Sequence, residues 1–343
     1  MNRTQSRSKT GDMFQDLLTT AGAMAAAVGA WTYIRYRRDL SAAKARISSG
    51  SKLLNSPFGL IEYAEVGSGM PVLVIHGAGG GFDQGLEFAR PLIENGFKVI
   101  APSRFGYLRT TLPADASPMT QADAHGFLLD ALKLDKVAVI GISAGAPSAM
   151  QLCLRHPKRC SALVLGVPLA FSPELVGTPT EKPSVVREFL LNTAISSDFV
   201  FWILSKLARG TMFKTILGTP PEDVKDAGPE EQARLTEFLG HIEPISWRKM
   251  GLKNEATIAR SLPRYDLEHL RVPALVFGVE NCQYETYPGA RYTAENIPDA
   301  RFLGYSTGGH LCVGHQAELW SEILRFLKSA AEAPSGTLIA ASP

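Results

Sequence analysis

One stretch constrains this chain more than any other: Val137-Ala138-Val139-Ile140-Gly141-Ile142-Ser143-Ala144-Gly145-Ala146. Its leading apolar residues have the composition of a buried strand, and residues 146–154 carry a helix-like pattern. Between them, Gly-x-Ser-x-Gly calls for a sharp strand-to-helix turn. Side chains beside such a turn would collide with the strand or the helix, which accounts for glycine at 141 and 145. The serine between them is then held in a strained backbone conformation, its hydroxyl raised above the sheet at the helix N-terminus. That is how a nucleophile is presented. The same short pattern also occurs in ordinary turns, so its meaning depends on the rest of the chain.

Short, nearly unbroken apolar runs recur at residues 60–66, 72–76, 98–102, 137–142, 162–167, 274–279 and 301–305. Helical patterns at 87–95, 121–132 and 319–327 lie between or after them. This alternation predicts an α/β fold, a mostly parallel sheet with helices on both faces. The alternation stops from 172 to 266, where only helix-like patches appear (185–191, 199–207, 230–239), punctuated by Pro and Gly. A stretch of that length is too long for a loop in a compact domain, so an inserted helical lid is expected. The expected organisation is a hydrophobic segment and linker at 1–52, a core from 53–171 and 267–330, a lid at 172–266 and a tail at 331–343. The 343 residues suffice for one large domain with an insertion.

A net charge of +2 and the lack of a basic run within the domain argue against nucleic acid as a partner. Cys153, Cys160, Cys282 and Cys312 have no C-x-x-C spacing, so reduced structural thiols are expected rather than a zinc or redox motif. Residues 17–34 contain no charged side chain, and this run just reaches the length of a membrane-spanning helix. It is rich in alanine and diluted by Thr19, Thr20, Gly22 and Gly29. Trp31 and Tyr33 stand where an interfacial belt would lie, ahead of Arg35, Arg37 and Arg38. Membrane association through this run is expected, with a cleaved signal peptide or a soluble extension as competing readings. Arg35, Arg37, Arg38, Lys44 and Arg46 outnumber Arg3, Arg7 and Lys9, which would put the domain on the cytoplasmic side. Without an anchor the expectation is a cytoplasmic protein.

Upstream of the serine, Val72-Leu73-Val74-Ile75 runs into His76-Gly77-Ala78-Gly79-Gly80-Gly81. Acyl transfer needs two backbone donors aimed at the developing oxyanion, and a glycine-rich turn can bring an N–H close to a substrate. A dinucleotide turn is a poor fit, because Phe82 stands where G-x-G-x-x-G needs its last glycine. The run lacks the Lys-Ser/Thr of a phosphate loop as well, leaving a structural turn as the alternative. Ser103-Arg104-Phe105-Gly106-Tyr107 forms another loop at the carboxyl edge of the sheet, where open α/β sheets bind ligands. After the last strand, Ser306-Thr307-Gly308-Gly309-His310 places a histidine at that same edge, able to reach back to Ser143. His315, His125 and His241 are read as surface histidines.

The order of glycine-rich turn, serine turn, lid and histidine closely resembles the α/β-hydrolase superfamily over roughly residues 60–327. The resemblance is carried by His76-Gly77-Ala78-Gly79-Gly80, Gly141-Ile142-Ser143-Ala144-Gly145 and Gly308-Gly309-His310. It implies Ser143 as nucleophile, His310 as general base, and the N–H groups of Ala78 and Ala144 as the oxyanion hole. The lidded layout looks most like the branch with meta-cleavage product hydrolases and small-ester carboxylesterases. The implied activity is hydrolysis of a small or medium ester, or of a related acyl or carbon–carbon bond, on a small-molecule substrate without metal or organic cofactor. One position departs from the family: where its acid is expected, this chain has Asn281 and Cys282, with Glu280 and Glu285 nearby. An amide in place of the acid can cost a serine triad ~10⁴ in rate. The third member therefore stays open among these four, and a ligand-binding protein with weakened chemistry is the alternative.

Overall fold

The structure, a computed structural model, describes residues 4–175 and 195–332. The expected helical patch at 185–191 and most of the tail lie outside the described residues. The chain divides into two compact units, residues 1–46 and 47–343.

The described residues of the first unit belong to helix α1 (Thr4–Ser48), which runs on through the stretch expected to be a polar helical linker. Ala42, Ala43, Lys44, Ala45 and Arg46 are strong helix formers, so nothing local ends the helix before Gly50. Within Met13–Ser48 is an 18-residue stretch long and apolar enough to cross a membrane, none of it buried. Leu17, Leu18, Met24, Val28 and Ile34 are exposed along it.

The second unit is built on eight strands: β1 (Lys52–Ser56), β2 (Gly59–Val66), β3 (Pro71–Ile75), β4 (Lys98–Pro102), β5 (Val137–Ile142), β6 (Cys160–Gly166), β7 (Ala274–Val279) and β8 (Ala300–Tyr305). They lie in the order β1-β2-β4-β3-β5-β6-β7-β8. The β1–β2 and β2–β4 pairs are antiparallel and all the others parallel. β1 was not anticipated, since it has only Leu53 and Leu54 as apolar residues. It is set by a tight hairpin, with the Ser56 hydroxyl donating to Gly59 O at 2.6 Å.

Alternation along the strands sends side chains to two separate cores. Leu73, Ile75, Val139, Leu163, Leu165 and Val276 pack on one face with α4 (Pro118–Ala131) and α5 (Ala146–Arg155). Val72, Val74, Ala138, Ile140, Val164, Leu275 and Phe277 pack on the other face. There they meet α2 (Phe82–Phe88), α3 (Arg90–Glu94) and, at the chain's end, a helix over Gln316–Glu332. Each fully buried Val, Leu or Ile contributes roughly 1.5–3 kcal/mol, so the two covered faces make the sheet a firm platform. The helix expected at 87–95 is instead two short ones. Pro91, at the start of α3, lacks the N–H needed to continue α2.

Between β6 and β7 the described residues form α6 (Asp198–Leu207), α7 (Arg209–Ile216), α8 (Pro221–Asp226), α9 (Pro229–His241) and α10 (Lys249–Arg260). This is an inserted helical segment with its own core of Phe201, Met212, Phe213, Leu235, Leu239 and Ile242, joined by Val313. α6 and α9 match sequence patches, whereas α7, α8 and α10 had not been separated from the surrounding Pro- and Gly-punctuated stretch. α11 (Tyr287–Asn296) then links β7 to β8, and α12 (Gln316–Glu332) closes the domain.

Candidate active site

β5 ends at Ile142, and Ser143 follows with φ of +51°, in the left-handed region that L-residues rarely occupy. The flanking glycines are required by space. A Cβ at Gly141 would lie 2.5 Å from Ala149 Cβ, and one at Gly145 would lie 2.4 Å from Ile75 O. A single 3₁₀ turn over Ser143–Gly145 then leads into α5. The strain at Ser143 is held by packed backbone on both sides, as expected for a preorganised functional residue.

His310 comes from the loop after β8, 167 residues further along the chain, and its Nε2 lies 2.9 Å from Ser143 Oγ. The two loops meet because β5 and β8 point the same way in one sheet. On the far side of the ring, Nδ1 faces Cys282 Sγ at 3.2 Å. Thr286 Oγ1 donates to the same sulfur at 3.4 Å. Burial pushes the Cys282 thiol up, but the His310 imidazolium and hydrogen bond, helped by Thr286 and the Tyr284 backbone, outweigh it and bring the group down to about 7.

Of the four candidates for the third position, Cys282 alone occupies it. Glu280 is exposed and hydrogen-bonds Tyr287, while Glu285 is exposed with φ of +52°. Asn281 braces the histidine loop instead. Its Oδ1 accepts from Gly309 N at 2.8 Å, and its Nδ2 donates to Asp223 Oδ2, also at 2.8 Å. Asp223, from α8, also accepts from Gly308 N at 2.9 Å. Asn281→Asp would set two carboxylates against each other where a hydrogen bond now stands. It is expected to lower stability by about 1–3 kcal/mol, read as a reduced unfolding temperature, with no gain in activity.

The glycine-rich turn is closed by Gly80 N donating to Gly77 O at 3.3 Å. Ala78 is exposed at its tip, and its N–H has no hydrogen-bond partner among the described residues. Ala144, directly after Ser143, is half-buried. His76 is buried, and its Nε2 accepts from the Arg104 backbone N–H at 3.0 Å, leaving the proton on Nδ1 against Gly77 O at 2.7 Å. Burial and the nearby Arg104 charge hold it well below the usual histidine range, so it is neutral.

The other histidines do not meet Ser143. His125, expected at the surface, lies instead on the buried face of α4, where burial and the Arg104 charge lower it to about 3. His241 pairs with Glu87, and His315 stacks on Tyr305 with ring centroids 4.2 Å apart. All four cysteines are free thiols and buried. Beside His310 opens a largely apolar pocket lined by Phe88, Ile142, Val167, Phe277 and Leu319, with Gln84, Arg234 and Gln316 as polar groups. Its cavity volume is about 50 Å³. One water needs roughly 10–15 Å³, so the space suits a group of a few heavy atoms. Asp223 went unnoticed in the sequence because nothing local marks a carboxylate in a short helix as the brace of a loop 85 residues away.

Comparison with known proteins agrees with this fold. The family model for the alpha/beta hydrolase fold matches residues 70–313. An uncharacterized hydrolase of Bacillus subtilis (strain 168) is 37% identical over 283 residues, covering 79% of this chain and 96% of its own length. A 2-hydroxy-6-oxononadienedioate/2-hydroxy-6-oxononatrienedioate hydrolase of Pseudomonas putida is 24% identical over 279 residues, or 78% of this chain and 91% of that protein. Among solved structures, an alpha/beta hydrolase fold protein from Nakamurella multipartita has a TM-score of 0.62 at 23% identity, covering 81% of this chain and 99% of that one.

Proposed function

This chain belongs to the α/β-hydrolase fold family and is an enzyme of the hydrolase class, and from that premise we propose that it is a serine hydrolase working through an acyl-enzyme on Ser143. The observation that carries the proposal is the 2.9 Å contact between His310 Nε2 and the Oγ of a serine held at φ +51°. In this reading Ser143 Oγ attacks the substrate carbonyl while His310 Nε2 takes its proton. The negative charge that develops on the carbonyl oxygen is met by the N–H groups of Ala78 and Ala144. His310 then passes the proton to the leaving alcohol, and water, deprotonated by the same nitrogen, releases the acid and restores the serine. A thiolate at Cys282 would hold the ring with its proton on Nδ1 and offset the imidazolium charge.

The substrate class proposed is a small ester, or a related acyl or carbon–carbon bond, with a short acyl portion suited to the apolar pocket beside His310. The experiment is labelling with a fluorophosphonate, which reacts only with an activated serine. Wild type is expected to label and Ser143→Ala to remain unlabelled. Labelling that survives in Ser143→Ala would remove Ser143 from the reaction.

The thiol in the acid's place favours a second reading, a ligand-binding protein with weakened chemistry. That reading expects small-molecule binding with no fluorophosphonate labelling of wild type. We also propose that α1 anchors the enzyme to a membrane with the catalytic domain on the cytoplasmic side, because its apolar stretch meets the length and composition a span needs. Deleting residues 1–38 is expected to move the protein from the membrane pellet to the supernatant. Full-length protein found in the supernatant without detergent would overturn the anchor.

A further inference from the structure

The turn that carries Ala78 is held at both ends by buried guanidiniums. Arg104, in the loop after β4, donates from Nη1 to Ala144 O at 3.0 Å and from Nη2 to Gly77 O at 3.1 Å. The same Gly77 oxygen accepts from His76 Nδ1, and His76 is itself held by the Arg104 backbone. At the other end Arg248, wholly buried, donates to Gly80 O and pairs with Asp83 at 2.9 Å. Gly77 O and the Ala78 N–H belong to one planar trans peptide, so they point in opposite directions. Donors that fix the carbonyl therefore fix where the N–H aims. By drawing electron density to the oxygen they also make that N–H a stronger donor.

Arg104 does not stand alone. Glu255 of α10 contacts its Nη2, and the two side chains are only 9% and 7% exposed. Burial brings the Arg104 guanidinium down to about 10, which leaves it charged at neutral pH. A buried cation without a counter-charge is costly, so Glu255 is what allows Arg104 to remain beneath the turn. α10 and the residue leading to it are tied to the same core loop, through Gly251 N to Gly106 O at 2.9 Å and Leu108 N to Trp247 O at 2.8 Å.

We propose that Arg104, charge-balanced by Glu255 of the inserted segment, is a positioning residue that sets the Gly77–Ala78 peptide for oxyanion stabilisation. The C-terminal helix of the insertion is then a fixed part of the reaction apparatus and not a cover that swings away. This inference rests on the acyl-enzyme reading above.

The test uses the full-length enzyme and a short-chain trifluoromethyl ketone, which adds to an active serine and leaves an oxyanion where the reaction generates one. Its inhibition constant is measured beside kcat, KM and unfolding temperature for Arg104→Lys and Glu255→Gln. Arg104→Lys keeps the charge but cannot serve both carbonyls. Its kcat is expected to fall roughly 10- to 100-fold, the inhibition constant to rise by a similar factor, and KM to stay within about threefold. Glu255→Gln removes the counter-charge and should give the same pattern at about three- to tenfold. It carries the test if Arg104→Lys does not fold. A purely structural pair would lower the unfolding temperature while leaving kcat per fluorophosphonate-labelled site and the inhibition constant unchanged, and that result overturns the inference. Wild type that fails to label at Ser143 sinks the acyl-enzyme reading and this inference together. Wild type that labels, with variants whose ketone affinity is unaltered, sinks this inference alone.

Discussion

Ser143→Ala and His310→Ala are each expected to lower kcat on a short-chain p-nitrophenyl ester by roughly 10⁴- to 10⁶-fold, and the double variant by little more. The near-equality follows from the chemistry. Ser143 has no nucleophile to offer unless His310 takes its proton, and His310 has no proton to take unless Ser143 attacks. The 2.9 Å contact between them is one functional unit, so removing either half removes both. Ser143→Ala leaves the packed backbone around the turn undisturbed, because alanine needs no more room than serine and keeps the glycines at 141 and 145, and His310→Ala only shortens a half-buried side chain in a different loop. Folding should therefore be nearly unchanged, which separates lost chemistry from lost structure. Steady-state kinetics on the three variants check this. Turnover above about a tenth of wild type in either single variant would break the assignment.

The second large effect concerns position 282. Cys282→Ala is expected to cut kcat by roughly 10²- to 10⁴-fold with little change in KM, because His310 loses the group that fixes its tautomer and offsets its charge. Cys282→Asp places a carboxylate against Nδ1 and is expected to match or exceed wild type. The pH behaviour carries an independent signature. A thiol brought down to about 7 is protonated below that pH and anionic above it, so activity and ultraviolet thiolate absorbance should rise together as pH climbs through about 7. The step belongs to the Cys282–His310 pair rather than to either group alone. An ordinary cysteine would show it near ~8.5, and Cys282→Ser should abolish the thiolate component. Equal kcat across the Ala, Ser and Asp variants would mean that position 282 does not orient the histidine.

The sequence by itself determined the platform and the two residues, Ser143 and His310, that meet above it. Seven of the eight strands were legible as short apolar runs, and β3 to β7 read so clearly because strands buried on both faces must be short and apolar. Ser143 was legible because its turn admits only glycine at 141 and 145, a steric demand written directly into the chain. His310 followed from its place after the last strand, since parallel strands bring their following loops to one edge. β1 was missed because its position comes from hairpin pairing with β2 and not from its own pattern. The third partner of the histidine could not be chosen from the sequence, because Glu280, Asn281, Cys282 and Glu285 are neighbours in a loop. A rotation of that loop by one residue exchanges which side chain faces the ring. Only the packed fold decided it, by spending Asn281 on the Gly309 N–H and on Asp223, and by turning Cys282 inward against Nδ1. The same holds for Arg104 and Glu255, 151 residues apart, whose charges meet beneath the glycine-rich turn only after the inserted helices have packed. Local sterics are written in local sequence, whereas the pairing of polar groups from distant segments is settled by which of them burial brings together.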